Sequence, residues 1–228
     1  MRKLITPISS AVALALAAGV ATPAMAQDSD TRIQVKIMAT AVLPDGEIDT
    51  INADNLGVPA GTQTEANNNV VPTVAIEYFF SPNISLETIC CVTQHDVDVS
   101  TGPLAGAEAV SDARVIPATF TLKYHFNPGG VSPYIGAGPT YYMWFSEEPG
   151  AGLAALGATD LDMSDELGVA LQAGIDVPVG DSMLVSLDAK KYWVGTTAEW
   201  YDSTGALLLS TDHNVDPWVL SAGVGLRF

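Results

Sequence analysis

The sequence predicts an all-β protein, an eight-stranded antiparallel transmembrane β-barrel with short turns at one end and long loops at the other. Three observations lead to this prediction. Apolar and polar residues alternate over successive stretches, the connections between the stretches alternate in length, and aromatic residues collect at two depths of the apolar face. Because unpaired backbone groups find no water in lipid, strands that cross a membrane must close into a barrel.

The first residues of the chain have the features of a segment that is removed during export. Arg2 and Lys3 are positively charged, an apolar stretch covers residues 11–21, and Ala24-Met-Ala26 matches the small-residue pattern of a cleavage site. These features are typical of a secretory signal peptide. We therefore predict two parts: a signal peptide over residues 1–26 and a β-barrel over residues 27–228.

The composition limits what the protein can bind. The chain has 228 residues, with 26 acidic and 9 basic side chains, a formal charge of −17 and 48% hydrophobic residues. So acidic a protein repels nucleic acid, and we expect no nucleic-acid partner. The hydrophobic content is too high for a disordered chain, so the acids are expected in loops and the aliphatic residues in strands.

Strands are predicted where apolar residues recur at every second position. In the last stretch Trp218 and Leu220 share one face, while Ser221 and Gly223 share the other. At roughly 3.3 Å per residue and a tilt near 40°, this stretch climbs about 25 Å, the height of the apolar band of a membrane barrel. The eight predicted strands cover residues 32–43, 70–80, 84–95, 113–126, 133–145, 165–179, 182–197 and 218–228.

The connections between these strands alternate between long and short. Short turns with long loops at the opposite end are the layout of an outer-membrane barrel of Gram-negative bacteria, with the turns in the periplasm and the loops outside the cell. A soluble eight-stranded barrel of the lipocalin type is the alternative, and it would bury its apolar face inward. The predicted loops are 44–69, 100–112, 146–164 and 198–214, and the predicted turns are 81–83, 127–132 and 180–181.

The aromatic residues of the apolar face decide between the two kinds of barrel. A lipid-facing surface requires an aromatic ring near each membrane interface, with aliphatic residues between the rings. The sequence fits this arrangement and so favours the membrane barrel. The expected lower ring is Tyr78, Phe80, Tyr124, Phe126 and Phe228, and the expected upper ring is Tyr141, Phe145, Trp193 and Trp218.

Four segments carry a resemblance to a known family. They are Arg32-Ile-Gln-Val35, the hairpin Glu77-Tyr-Phe-Phe-Ser-Pro-Asn-Ile-Ser-Leu-Glu87, the segment Pro133-Tyr-Ile-Gly-Ala-Gly138, and Asp216-Pro-Trp-Val219 with the ending Arg227-Phe228. Together they resemble the OmpW family of outer-membrane proteins, in register across the mature chain. The loops differ from the family in composition and length.

The resemblance implies a narrow eight-stranded barrel that passes small hydrophobic molecules, and some members of the family are receptors for bacteriocins. A terminal Phe228 is similar to the signal that the outer-membrane assembly machinery reads. The expected partners are therefore this machinery, outer-membrane lipid with lipopolysaccharide, and small hydrophobic solutes. Because the loops differ, receptor activity is not carried over.

The second face of the strands predicts the contents of the barrel. An eight-stranded interior is just wide enough to be filled by side chains, which excludes a wide aqueous pore. Charges of both signs at one depth are expected to pair, because unpaired buried charges are costly. Such a plug would fix strand register, and a proton or ion path is the alternative. The expected charged plug is Lys36, Glu77, Glu87, Lys123, His125, Asp176, Asp188, Lys190 and Arg227.

Higher in the barrel the inward face becomes apolar. An apolar funnel above a charged plug suits a hydrophobic solute that enters from outside and leaves sideways through the wall. Pro117 and Pro139 lie within strands, where the missing N–H weakens a ladder bond, so a lateral opening is predicted near them, with a harmless kink as the alternative. The expected funnel residues are Met38, Val42, Ile89, Val115, Tyr142 and Trp144.

No other feature predicts a catalytic or metal site. Cys90 and Cys91 are adjacent on a strand and point to opposite faces, as expected of two small buried hydrophobes. Neither a catalytic motif nor a cofactor or metal motif is present, so we expect a protein that is not an enzyme, with a barrel-embedded hydrolase as the alternative. The acidic loops are expected to be a solvated surface, or to share divalent cations with lipopolysaccharide, through Asp45, Glu47, Asp49, Glu147, Glu148, Asp160 and Asp162.

The function predicted from the sequence is a passive outer-membrane channel for small hydrophobic molecules. The alternative is a structural, adhesive or receptor barrel that acts through its acidic extracellular loops and has a sealed lumen.

Overall fold

The computed structural model describes residues 32–127 and 130–228. The predicted signal peptide lies outside this range. No helix within the described residues is long and apolar enough to cross a membrane.

Fifteen strands and one short helix follow one another along the described part of the chain. They are β1 (Ile33–Leu43), β2 (Glu47–Asp54), β3 (Thr64–Ala66), β4 (Asn69–Ser81), β5 (Ile84–Cys90), β6 (Thr93–Val99), β7 (Glu108–His125), β8 (Ser132–Phe145), β9 (Glu148–Pro149), α1 (Ala151–Ala155), β10 (Asp160–Met163), β11 (Glu166–Pro178), β12 (Met183–Trp193), β13 (Gly195–Tyr201), β14 (Leu207–Asn214) and β15 (Trp218–Arg227).

Eight of these strands form a closed antiparallel barrel, as predicted. Around the wall the order is β7, β5, β4, β1, β15, β12, β11 and β8, and β8 pairs back to β7 to close the ring. The register is continuous beside β1, where Met38 lies opposite Gly223 of β15 and opposite Thr73 of β4. Closure leaves no free strand edge at these positions, which a lipid environment requires.

The two faces of each wall strand differ as the alternation predicts. On β1, Gln34 and Lys36 are buried inside the barrel, whereas Ile37 on the opposite face is 63% exposed. The two aromatic rings also face outward, with Phe80 58% exposed near the lower end and Trp218 50% exposed near the upper end. The apolar face therefore faces lipid, and the mixed face lines the lumen.

The third wall strand is broken, although a continuous strand was predicted. Pairing of β5 with β7 ends at Ile89 opposite Thr119, and β6 resumes pairing at Thr93 opposite Val115. Pro117 of β7 lies between these two points and has no N–H to donate to a neighbour. Cys90 ends β5 and is exposed, and Cys91 follows it in the break and is buried, so the two free thiols point to opposite sides as expected, but the expectation that both are buried is wrong for Cys90.

The long loops contain five strands that the sequence did not predict, β2, β3, β9, β10 and β14, whereas β6 and β13 begin inside the predicted strands over residues 84–95 and 182–197. Above the membrane, β10, β13, β14 and β2 form a second sheet, and β3, β6 and β9 join the extended upper end of β7. These segments order because they bury an apolar core of their own instead of remaining in solvent. Its buried members are Val99, Ala109, Val110, Ala113, Leu153, Ala158, Leu161, Met163, Ala198, Trp200 and Leu209.

Candidate functional site

The lower lumen is filled by a network of ion pairs, which we call the charged plug. Lys123 lies at its centre, with its Nζ 3.0 Å from Glu77 and 2.8 Å from Glu87. Lys36 reaches the same two carboxylates at 3.2 and 3.4 Å, and also Asp176 at 3.2 Å. Each lysine therefore bridges carboxylates from different strands.

The third lysine extends the network across the barrel. Lys190 Nζ lies 2.7 Å from Asp188 and 3.2 Å from Glu87, so Glu87 contacts all three lysines. All of these side chains are almost completely buried. Because a buried charge without a partner costs several kcal/mol, this mutual pairing is what allows them to lie inside the barrel.

Two glutamines donate further hydrogen bonds to the four carboxylates. Gln34 Nε2 donates to Glu77 at 3.0 Å and to Asp176 at 3.1 Å. Gln172 Nε2 donates to Glu87 at 2.8 Å and to Asp188 at 2.6 Å. An amide adds donors without adding charge, so these residues complete the hydrogen bonding of the carboxylates.

One aromatic ring packs in the middle of the plug. Lys123 Nζ lies 3.8 Å from the centre of the Tyr134 ring, a cation–π geometry, and the Tyr134 hydroxyl donates to Asp188 at 2.7 Å. The ring has room because the facing position is Gly174, where a Cβ would fall 2.4 Å from the tyrosine oxygen. His125 closes the lower end of the plug, with Nε2 2.8 Å from Glu77.

The plug draws side chains from every strand of the wall. One buried network thus connects all eight strands and favours a single register for the barrel, since a slip would break many bonds at once. The residues that join it are Gln34 and Lys36 of β1, Glu77 of β4, Ser85 and Glu87 of β5, Thr121, Lys123 and His125 of β7, Tyr134 of β8, Gln172 and Asp176 of β11, Ser186, Asp188 and Lys190 of β12, and Arg227 of β15.

Arg227 differs from the other charged residues predicted for the plug. It is only half-buried, donates from Nε to Gln34 at 2.6 Å, and lies 5.2 Å from the centre of the Phe79 ring. None of the ion pairs found within the described residues includes it. It therefore lies at the lower rim and reaches the carboxylates only through Gln34.

A thin polar layer lies above the plug. Thr40 and Ser221 hydroxyls are 2.8 Å apart, and Thr119 and Thr140 hydroxyls are 2.7 Å apart. Each pair joins neighbouring wall strands and satisfies both of its own hydroxyls. This layer marks the change from an ionic to an apolar interior.

The upper lumen holds a cavity, which we call the apolar cavity. The centre of a water-sized sphere can move through about 50 Å³ of it, and all the empty space between the lining residues, with the solvent at the mouth, comes to about 810 Å³. The cavity exists because small inward residues such as Gly46, Ala66, Cys91, Ala113 and Ala198 leave the upper barrel incompletely filled.

Five of the six residues predicted for the funnel line this cavity. They are Val42, Ile89, Val115, Tyr142 and Trp144. The sixth, Met38, is buried lower down, where it packs with Ala75 and Ile89. Three aromatic side chains adjoin one another along one side: the Tyr142 ring lies 5.9 Å from that of Tyr192, edge to face, and 6.4 Å from that of Trp144, at a tilt.

Two histidines that the sequence reading did not place in the lumen line the outer part of the cavity. His95 Nδ1 donates to the Asn67 carbonyl at 2.7 Å, and His213 Nδ1 donates to the Gly46 carbonyl at 3.3 Å. Gly46 and Asn67 lie near the two ends of the extracellular segment between β1 and β4. Burial lowers the pKa of both rings, which keeps them neutral near pH 7. Both lie above the upper aromatic ring, where Tyr141 pairs with Ala118.

The upper wall is not hydrogen-bonded all the way round. Pairing of β4 with its neighbour ends at Val74 opposite Cys90, and residues 69–73 have no strand partner on that side within the described chain. One side-chain bond crosses the gap, from Asn69 Nδ2 to the Gln94 carbonyl at 3.0 Å. We call this unpaired stretch between β4 and β6 the upper seam.

The prolines predicted to mark an opening lie at different places. Pro117 is buried beside the break in the third wall strand, next to the upper seam. Pro72, which was not predicted to mark an opening, lies within the seam. Pro139 faces outward on β8, away from the seam. Beside it the wall is tight, because a Cβ at Gly138 would fall 1.9 Å from the Phe120 carbonyl oxygen.

The acidic residues of the loops gather on the extracellular sheets. Partial burial and the nearby charge of Asp162, with that of Asp165, raise the pKa of Glu147. Asp162 also lies directly opposite Glu199 in the pairing of β10 with β13. In the part of the chain that the structure covers, no three acidic, histidine or cysteine side chains are placed to hold a metal ion.

Comparison with known proteins agrees with this architecture. A model of the OmpW family matches residues 29–228. The chain belongs to the OmpW family. Like the proteins that it resembles, this OmpW-family protein is an outer-membrane β-barrel.

Two relatives and one solved structure show how far the similarity extends. The chain is 34% identical over 199 residues to the uncharacterized outer-membrane protein y4mB of Sinorhizobium fredii, covering 86% of this chain and 79% of that protein. It is 27% identical over 172 residues to the dibenzothiophene metabolism operon protein PahQ of Pseudomonas aeruginosa, covering 75% and 77%. The outer membrane protein OprG of Pseudomonas aeruginosa superposes with a TM-score of 0.77 at 25% identity, covering 87% and 96%.

Proposed function

We propose that this OmpW-family protein is a passive channel that takes small apolar molecules from outside into its upper lumen and releases them sideways into the membrane. The observation that carries the proposal is the change within one lumen from an apolar cavity to a charged plug. A small apolar solute gains by leaving water for the cavity, but it gains nothing by displacing ion pairs that satisfy one another. The path of the solute along the barrel axis therefore ends at the charged plug.

The name of one relative supports this class of solute. PahQ is named for an operon of dibenzothiophene metabolism, and dibenzothiophene is an apolar aromatic molecule. The cavity of the present protein is lined by aliphatic residues and by the adjoining rings of Tyr142, Tyr192 and Trp144, which suit an apolar body.

The proposed exit is the upper seam. It lies beside the cavity, because Cys91 and Thr93 line the cavity and also border the unpaired stretch. Widening the wall here breaks no ladder bond between β4 and β6, whereas elsewhere the paired strands would have to separate. Pro72 lies on the β4 side of the seam, Pro117 lies on β7 beside the break that precedes β6, and Pro139 takes no part in the proposed exit.

A charge inside the cavity tests the channel proposal. Val42 is buried on the cavity wall, so Val42→Asp should reduce uptake of a small apolar solute into liposomes at least tenfold, because the solute would meet a desolvated carboxylate. Val42→Asn has nearly the same volume without the charge and should retain more of the uptake. Unchanged uptake in the aspartate variant would contradict the proposal.

A second candidate is a structural, adhesive or receptor barrel that acts through its extracellular part. The observation that favours it is that the loops form an ordered sheet with its own apolar core and exposed acids. Replacing residues 198–214 by a short turn should abolish adhesion or receptor binding if this candidate is correct. Substitutions in the cavity should then have no effect on either activity.

A further inference from the structure

Trp144 lies where the apolar cavity meets the extracellular core. It pairs with Val115 across β7 and β8, and its ring packs against the buried residues of both regions. Its side chain lines the cavity. A solute that moves from the outer part of the cavity toward Tyr142 therefore passes this ring.

The indole nitrogen of Trp144 is an unpaired donor. Its Nε1 is buried and has no hydrogen-bond partner within residues 32–127 and 130–228. An indole N–H can only donate, so a nearby group must accept from it if the bond is to be made. A buried donor without an acceptor destabilises the protein, and a ligand with an acceptor would remove that cost.

Three other polar groups beside the cavity are bound within the protein. Thr93 Oγ1 lies 2.9 Å from His95 Nε2, Thr211 Oγ1 lies 2.7 Å from His213 Nε2, and Thr196 Oγ1 donates to the Ser164 carbonyl at 3.0 Å. These groups are already satisfied and offer little to a solute. The Trp144 N–H thus differs from these three groups, because it has no hydrogen-bond acceptor within the described residues.

We propose that the cavity selects apolar molecules that carry one hydrogen-bond acceptor, and that the Trp144 N–H is the donor that recognises it. The preferred solute has a compact apolar or aromatic body and a single carbonyl, ether or ring-nitrogen acceptor. The body packs beside Tyr142, and the acceptor meets the indole after a small rotation of the ring. This inference rests on the proposed function in that the upper lumen is the site of solute entry.

Two probes of nearly equal shape test the inference. Naphthalene has no acceptor, and quinoline replaces one of its CH groups by a ring nitrogen. Equilibrium binding of each to the detergent-solubilised protein gives a preference for quinoline over naphthalene, expressed as a ratio of Kd values. Because one hydrogen bond is at stake, the preference should fall about tenfold in Trp144→Phe. Trp193→Phe removes an indole from the lipid-facing surface, outside the cavity, and should leave the ratio unchanged.

A second measurement uses the wild-type protein and therefore does not require a folded variant. In protein labelled with ¹⁵N-tryptophan, the Trp144 indole N–H resonance should move downfield on addition of quinoline and move much less with naphthalene. The inference is overturned if the two probes shift this resonance equally, if Trp144→Phe keeps the wild-type ratio, or if neither probe binds. If the ratio behaves as expected but neither probe enters liposomes, the recognition by Trp144 stands and the channel function is wrong.

Discussion

The two halves of the lumen are built from the same inward positions of the same strands, yet they are opposite in chemistry. The lower half places Lys36, Lys123 and Lys190 against four carboxylates with almost no space between them. The upper half places valines, tyrosines and small residues around a cavity. The barrel geometry is common to both, so the side chains alone decide which half is closed and which is open.

This difference separates two tasks that a narrow barrel must perform. A packed ionic interior specifies strand register and blocks the barrel axis, whereas a loosely filled apolar interior leaves space that a solute can occupy. A barrel that was ionic throughout would admit no apolar solute. A barrel that was apolar throughout would lose the buried network that connects all eight strands.

The largest effect is expected from removing a cation of the charged plug. Carboxylates already outnumber lysines there, so Lys123→Met leaves Glu77 and Glu87 with less positive charge between them. We expect a loss of about 3 to 5 kcal/mol in the free energy of unfolding, measured by urea titration in lipid vesicles.

The matched control removes the opposite charge. Glu87→Gln leaves three lysines facing Glu77, Asp176 and Asp188, so its loss of stability should be smaller than that of Lys123→Met. The double variant should be more stable than the two separate losses imply. A double variant whose loss equals the sum of the two single losses would show that the charges do not act as a network.

A much smaller effect is expected in the apolar cavity. Ile89 borders space that is already open, so Ile89→Val should cost only about 0.5 to 1 kcal/mol in the same titration. A loss as large as that of the lysine variant would mean that the upper half is packed as tightly as the lower half, and the comparison would fail.

The smallest effect is expected at the extracellular rim. Burial lowers the folded pKa of His95 and His213, so between that value and about 6.5 the unfolded state binds more protons than the folded state. The free energy of unfolding therefore falls as the pH drops through this range. The charges of Asp96 and Asp212 oppose the shift and limit the effect.

Hydrogen exchange measures this pH effect locally. After correction for intrinsic rates, amides of β14 should be less protected at pH 5 than at pH 7 in the wild-type protein. The loss of protection should shrink in His213→Asn. An equal loss in both proteins would remove this histidine as its cause.

The sequence predicted the wall and the charges well because both follow from strict alternation. Once Trp218 was assigned to lipid, the inward direction of Lys36, Glu77 and Glu87 followed from parity. Gln34, Gln172 and Tyr134 share that inward parity and were overlooked because they carry no charge. A count of all polar inward residues would have found them.

The alternation of residues along single strands does not predict the extracellular sheets or the upper seam. The segments that hold Leu153, Leu161 and Trp200 are rich in turn residues, and their strands depend on burial against one another across distant parts of the chain. Local alternation contains no such information. The break at Cys91 likewise depends on Pro117 of the neighbouring strand, which the sequence of the broken strand does not show.

Locking the upper seam tests the central claim most directly. Val74 pairs with Cys90, so Thr73 and Cys91, both buried, occupy the next opposed positions at the start of the seam, and Thr73→Cys in a Cys90→Ala protein should form a disulfide there. The control is Thr40→Cys with Ser221→Cys, made with both native cysteines replaced by alanine, which joins paired strands at a similar height.

The measurement is uptake of a small apolar solute into liposomes, with and without reductant. Our account predicts that the seam disulfide abolishes uptake, that reduction restores it, and that the control disulfide changes nothing. Undiminished uptake through the locked seam would contradict a sideways exit and would require a path through the charged plug.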